Sequence, residues 1–168
     1  MDSPVVVTAA GACGQAGLAT LRFNFRGVGR SAGAWDEGRG EQDDVRAAVG
    51  HLAEVLGPPV PVALAGYSFG AAMAAQVAAS GSALAGLLLI APPLARRGLP
   101  AWPAAVQGQV LVVAGSADTY CPAPALAALA KAWPAATVTV LAGADHFFVG
   151  GLEPLDAAVR DWAAKVPR

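Results

Sequence analysis

One hydroxyl in the sequence stands where a nucleophile should: Ser68, in Gly66-Tyr67-Ser68-Phe69-Gly70. A hydroxyl is a weak nucleophile, so it must be exposed, aimed and supplied with a base. The β-prone run Val60–Tyr67 leads directly into the alanine-rich segment Phe69–Ala79, which puts Ser68 on a tight strand-to-helix turn, the nucleophile-elbow pattern. Gly66 and Gly70 flank it two residues away on either side, where side chains are expected to clash in so sharp a bend. The Phe69 backbone N–H opens the helix and is expected to point toward a developing oxyanion. The same residues also describe an ordinary turn with a capping serine, so the motif needs partners.

The base has to be one of two histidines. His51 precedes the serine within a helical pattern and reads as a partly exposed structural residue. His146 follows the last β-prone run, in Gly143-Ala144-Asp145-His146-Phe147-Phe148, and the carboxyl ends of strands are where ligands gather in open α/β sheets. A third group should orient the imidazole and stabilise its positive charge. Asp118 follows the run Gln109–Gly115 and so shares an end of the sheet with Ser68 and His146. Asp145 is adjacent to His146, and neighbouring side chains usually diverge, which makes it the weaker choice. Asp156 and Asp161 belong to the terminal helical pattern, and Glu153 to its start. The order Ser68…Asp118…His146 is the serine–acid–histidine order that goes with a strand–turn–helix nucleophile.

Elements must hold these residues. Short β-rich runs alternate with alanine-rich helical segments, the signature of a mainly parallel sheet covered by helices. Strands are expected at Ala19–Arg26, Val60–Tyr67, Ala85–Ala91, Gln109–Gly115 and Ala136–Ala142, giving about five. Runs such as Leu87-Leu88-Leu89-Ile90 are continuously apolar, as strands buried on both faces should be. Helical spacing marks Glu41–Leu56, with acids in its first turn and a stop at Gly57-Pro58-Pro59. Further helices are expected over Phe69–Ala79, Pro122–Trp133 and about Glu153–Val166. Gly27-Val28-Gly29 follows a β-prone run, but its spacing to Gly33 is one residue too long for a dinucleotide fingerprint and no helix opens there. The stretch from Gly27 to Gly40, with Trp35, Asp36 and Glu37, reads as a loop bordering the site.

Composition bounds the partners. The 168 residues predict one domain, 1–168, and a net charge of −1 gives no bulk case for nucleic acid or an anionic membrane. Arg96-Arg97 is the densest basic pair and reads as a solvated loop. No apolar run reaches the ~18 residues of a membrane span. The start, Met1-Asp2-Ser3-Pro4, is a poor signal peptide, and Ala10-Gly11-Ala12-Cys13 lacks the positive start of a lipoprotein site, so a cytoplasmic location is expected. Cys13 and Cys121 form neither a disulfide framework nor a metal motif, and Cys121 reads as a small apolar residue rather than a reactive thiol.

Together, Thr20–Ser31 (TLRFNFRGVGRS), Gly66–Gly70, Gly115–Asp118 and Ala144–Phe147 resemble the α/β-hydrolase superfamily, in particular small bacterial hydrolases similar to dienelactone hydrolases and serine-peptidase-like esterases. The resemblance spans nearly the whole chain. It implies an α/β-hydrolase fold lacking its N-terminal strands. The family is expected to carry a strand between Ala19–Arg26 and the nucleophile strand, and a His-Pro or Gly-Gly loop that supplies a second oxyanion donor. The sequence opens after that loop, with Ser3–Gly17 matching the helix that follows it. Val5-Val6-Val7-Thr8 is β-prone and could fill the slot instead, but Gly11–Gly17 is short for a parallel crossover, so a helix is expected. An unfilled slot would favour a homodimer by strand pairing.

The function implied is hydrolysis of a carboxylic ester or related acyl bond in a small molecule, through an acyl-enzyme on Ser68. His146 serves as base and then acid, Asp118 orients it, and the Phe69 amide binds the oxyanion. No metal or organic cofactor is called for. The alternative is a non-catalytic or truncated protein of the same fold with an incomplete oxyanion hole; acyl transfer or peptide cleavage on the same triad is a third reading. The segment between Ala91 and Gly108, where many relatives insert a lid, is short, so an open site is expected. Trp102 there is either an aromatic wall or a packing residue.

Overall fold

The continuously apolar runs become the middle of a parallel sheet. In the computed structural model, which describes residues 2–57 and 60–167, four strands run in sequence order, each parallel to the last. They are β1 (Ala63–Tyr67), β2 (Gly86–Ile90), β3 (Val110–Gly115) and β4 (Thr137–Leu141). β2 and β3 are buried along their whole length, as strands covered on both faces must be. β1 and β4 form the edges.

Strand alternation sorts the core into two layers. Leu87 and Leu89, with Val110 and Val112, face a cluster shared with α2 (Arg39–Leu56), α3 (Phe69–Ala79) and α4 (Ala123–Ala132). Leu88 and Ile90, with Leu111 and Val113, face the other cluster, which holds α1 (Pro4–Gln15) and α5 (Leu152–Ala163). The buried side of α3 is mostly alanine, which lets that helix lie close against β1 and β2. On the opposite layer, the Trp162 indole N–H donates to the Gln109 carbonyl at 3.0 Å and ties α5 to the start of β3.

Two expectations need correction. Ala19–Arg26 is not a strand, so the sheet has four strands and not about five. A strand exists only as part of a ladder, and among the described residues this segment has no neighbouring strand to pair with. It is held by side chains instead. Phe23 and Phe25 pack on the α2–α3 cluster, Phe25 meets Phe69 edge-to-face at 5.3 Å, and the Arg26 N–H donates to Asp44 at 2.9 Å. The second correction concerns the start of α2, two residues before Glu41. Glu41 is fully buried and accepts the N–H groups of Asp36 and Gly38 at 2.9 and 2.8 Å. It therefore acts as a cap, and not only as a charge near the helix dipole. At the other end α2 stops at Leu56, and Gly57 follows with φ +78°; Pro58 and Pro59 of the expected stop signal lie outside the described residues.

The helix expected over Ser3–Gly17 is α1, starting on Pro4. Among the described residues, no helix is long and apolar enough to cross a membrane.

Candidate active site

Ser68 sits between β1 and α3 with φ +51° and ψ −117°, a conformation that non-glycine residues rarely adopt. The bend is so tight that a Cβ on Gly66 would fall 2.3 Å from the Gly70 carbonyl oxygen. Glycine is obligatory there. Gly70 is different: a Cβ on it would meet only Phe25, at an ordinary 3.9 Å, so the expected clash is confined to one of the two flanking glycines. The Ser68 N–H donates to the Ile90 carbonyl at 2.9 Å, which continues the β1–β2 ladder up to the nucleophile position. Phe69 opens α3, where a first-turn N–H has no carbonyl within its own helix to bond.

Three side chains meet at this end of the sheet. The Ser68 hydroxyl lies 2.9 Å from His146 Nε2. His146 Nδ1 lies 2.9 Å from Asp118 Oδ2 and 3.1 Å from Oδ1. Asp118 Oδ1 also accepts the N–H groups of Tyr120 and Cys121 at 2.7 and 3.0 Å. The carboxylate is thus buried and saturated with donors, while the serine hydroxyl borders a cavity. A buried acid fixed on one imidazole nitrogen leaves the other nitrogen free to work on the hydroxyl.

The loops carrying Asp118 and His146 are brought together by a glycine. A Cβ on Gly115, the last residue of β3, would sit 2.1 Å from the Ala144 carbonyl oxygen. With no side chain in the way, the Ala117 N–H reaches that same carbonyl at 2.9 Å, and the Ser116 hydroxyl accepts the Gly143 N–H at 2.8 Å. His146 is further positioned by two tyrosines. The Tyr67 hydroxyl donates to the His146 carbonyl at 3.1 Å, and the Tyr120 ring lies 4.5 Å from the imidazole. Burial, then Asp118 and Asp145, raise the Tyr67 phenol above its usual range, so it stays a donor.

Asp145, Asp36, Glu37 and Asp156 are engaged elsewhere. Asp145 accepts the N–H groups of Phe147 and Val149 at 3.1 and 3.0 Å, closing the turn that presents His146. Asp36 and Glu37 both pair with Arg39, and Asp156 pairs with Arg160. His51 is exposed on α2, beside a depression lined by Arg26 and Asp44. Cys121 is buried next to Asp118, and burial with that charge pushes its thiol up to about 12, which keeps it protonated and unreactive. Among the described residues, no three His, Cys, Asp or Glu side chains are grouped to hold a metal ion.

A cavity of about 250 Å³ opens beside Ser68, between Trp35, Phe69 and Tyr120. Pro93, Arg96 and Arg97, from the helix-free connection between β2 and β3, close its far side. Trp102 plays no part in this wall: it stacks edge-to-face on Trp133 at 5.6 Å and belongs to the core. The loop from Gly27 to Gly40 does border the site, through Trp35. Tyr120, Arg96 and Arg97, which line the cavity, carry no signal in the sequence that places them there. Tyr120 lies two positions after Asp118 and carried no motif, and an adjacent arginine pair is most often solvated.

Comparison with known proteins agrees with this geometry. The family model for the alpha/beta hydrolase domain matches residues 1–154. An alpha-beta serine hydrolase homologue from Coxiella burnetii superposes with a TM-score of 0.83 at 36% identity, over 96% of this chain and 76% of that one. An alpha/beta serine hydrolase without a lid from Xanthomonas campestris gives a TM-score of 0.87 at 34% identity, over 100% of this chain and 76% of that one. An uncharacterized protein of Rickettsia prowazekii is 36% identical over 94 residues, which are 56% of this chain and only 40% of that relative's length.

Proposed function

The chain belongs to the alpha/beta hydrolase domain family, and from that premise we propose that it is a serine hydrolase cleaving a carboxylic ester or related acyl bond through an acyl-enzyme on Ser68. Membership alone does not set the chemistry, because one fold carries many. The observation that carries the reading is the hydrogen-bond chain Ser68 Oγ–His146 Nε2 and His146 Nδ1–Asp118 Oδ2, each link 2.9 Å.

In this reading His146 Nε2 takes the Ser68 proton as Oγ bonds to the substrate carbonyl carbon. Electron density moves onto the carbonyl oxygen, toward the Phe69 N–H at the start of α3. Asp118 keeps the imidazole in the tautomer that leaves Nε2 as acceptor, and stabilises the imidazolium once it forms. The tetrahedral intermediate collapses as the bond to the leaving oxygen breaks and His146 returns its proton to that oxygen. Water repeats the sequence on the acyl-enzyme and frees Ser68. The open cavity fits an enzyme that takes its substrate without a closing lid, as the Xanthomonas relative is described.

A second reading is a non-catalytic protein of the same fold. There the triad is assembled but a second oxyanion donor is wanting, and loss of one donor costs about 100- to 1,000-fold in turnover. A fluorophosphonate probe and a p-nitrophenyl ester separate the two. The hydrolase reading expects labelling and turnover that both vanish in Ser68→Ala. Labelling with turnover reduced to background supports the second reading. A folded protein that takes no label, and hydrolyses the ester no faster than Ser68→Ala, refutes the hydrolase reading.

A further inference from the structure

The cations of this protein are unevenly matched. Arg26, Arg39, Arg46 and Arg160 each face a carboxylate. Arg96 and Arg97 face none among the described residues, although both line the cavity beside Ser68. No acidic side chain lines that cavity. Two guanidinium groups therefore stand at the mouth of the candidate nucleophile with their charge unanswered.

They are also held in place. The Arg96 guanidinium carbon lies 4.8 Å from the centre of the Tyr120 ring, and that of Arg97 lies 5.4 Å from the centre of the Phe69 ring. A guanidinium over an aromatic ring is held there by cation–π attraction while its N–H groups remain able to donate to an oxyanion. Tyr120 in turn packs on His146, and Phe69 supplies the amide next to Ser68. The two charges are thus fixed by rings that belong to the catalytic surroundings. The backbone of the connection is secured as well, with the Arg96 and Arg97 N–H groups donating to the Pro93 carbonyl at 3.0 and 2.9 Å, and the Ala95 N–H to the Tyr120 carbonyl at 2.9 Å.

We infer that the substrate carries an oxyanion, carboxylate or phosphate, a few atoms from the scissile carbonyl, and that Arg96 and Arg97 bind it. This inference rests on the hydrolase reading above and narrows it to anionic esters small enough for a cavity of about 250 Å³. Charge-assisted hydrogen bonds of this kind are the strong ones, so they should dominate the choice between substrates of equal length.

The test compares p-nitrophenyl hemiglutarate with p-nitrophenyl valerate, its uncharged counterpart of the same chain length. The wild-type protein should favour the hemiglutarate in kcat/KM by about tenfold or more, the usual effect of hydrogen bonds to a charged group. The preference should fall toward parity in Arg96→Gln/Arg97→Gln, return in part in Arg96→Lys/Arg97→Lys, and shrink as salt is raised. Measuring both esters on each variant makes the ratio independent of how much protein is correctly folded. Free glutarate and inorganic phosphate are tested separately for protection of Ser68 against the fluorophosphonate, and the better protector identifies the oxyanion. A hemiglutarate no better than valerate, with no protection by either anion, overturns the inference while leaving the hydrolase reading intact. If neither ester is cleaved and Ser68 takes no label, the hydrolase reading fails. Shifts of the arginine Nε–H resonances on adding glutarate or phosphate then decide the anion site by themselves.

Discussion

The α-carbon of Gly115 faces the carbonyl of Ala144 so closely that a methyl group on it would lie 2.1 Å from that oxygen. This close approach, with the Ala117–Ala144 and Ser116–Gly143 hydrogen bonds, holds the Asp118 loop against the His146 loop. Gly115→Ala must push the two apart. A destabilisation of about 1–3 kcal/mol is expected, as for other overpacked sites. Fluorophosphonate labelling of Ser68 should fall at least tenfold even at temperatures where circular dichroism shows the variant folded. Unchanged labelling in the folded variant would show that the glycine does not set the site.

The two glycines around Ser68 should behave in opposite ways. Gly66→Ala would drive a methyl into the Gly70 backbone and is expected to lower the midpoint of thermal unfolding sharply. Gly70→Ala has room and lies in the first turn of α3, so it should be neutral or stabilise by up to about 1 kcal/mol. Equal losses from both substitutions would contradict the steric account.

Asp118→Asn should leave the fold in place and remove most of the activity. The amide can present an N–H to Nδ1, which favours the tautomer with a protonated Nε2 and no acceptor for the Ser68 proton. A loss of roughly 10⁴ in kcat is the expected scale for the wrong tautomer. Steady-state kinetics on the purified variant measures it, and a loss below about tenfold would point to an imidazole oriented mainly by Tyr67 and Tyr120.

Acid should act first on the α2 end of the protein. The Gly40 N–H, then Arg39, lowers the Asp36 carboxyl, and the bond from Arg26 lowers that of Asp44. Burial pushes the Glu41 carboxyl up, but the N–H groups of Asp36 and Gly38 outweigh it and leave it low. Groups lowered on folding stabilise above their unfolded pKa, which is about 4 for a carboxylate. That stability is complete above about pH 5 and is lost as pH falls through 4 toward the lowered values. Urea midpoints should therefore be flat at neutral pH and drop below this range, less steeply in Asp44→Asn. A midpoint at pH 3 equal to that at pH 6 would contradict the assignment.

How much of this was legible beforehand follows from the range of each interaction. That Ser68, Asp118 and His146 meet could be anticipated because each follows a strand whose apolar run is local, and strand ends converge by topology. Helix α1 was readable from the resemblance at Ser3–Gly17 and from the Gly11–Gly17 link, too short for a parallel crossover. Ala19–Arg26 misled because β-propensity describes side chains, whereas a strand needs a partner backbone. Gly70 misled because symmetry in a motif does not imply symmetry in space. Arg96 and Arg97 read as a solvated pair because their placement depends on Tyr120 and Phe69, which arrive from two other parts of the chain.

The connection from β2 to β3 contributes none of Ser68, Asp118 or His146, yet it closes one side of the cavity they serve. On the proposed reading, reactivity and selectivity would therefore lie on separable stretches of polypeptide. Residues between Ala91 and Gly108 can change in length or charge without disturbing the hydrogen-bond chain, apart from the Ala95–Tyr120 link. On that reading, a substrate of different charge could be accommodated by changes in this one connection, with the hydrogen bonds among Ser68, His146 and Asp118 left as they are.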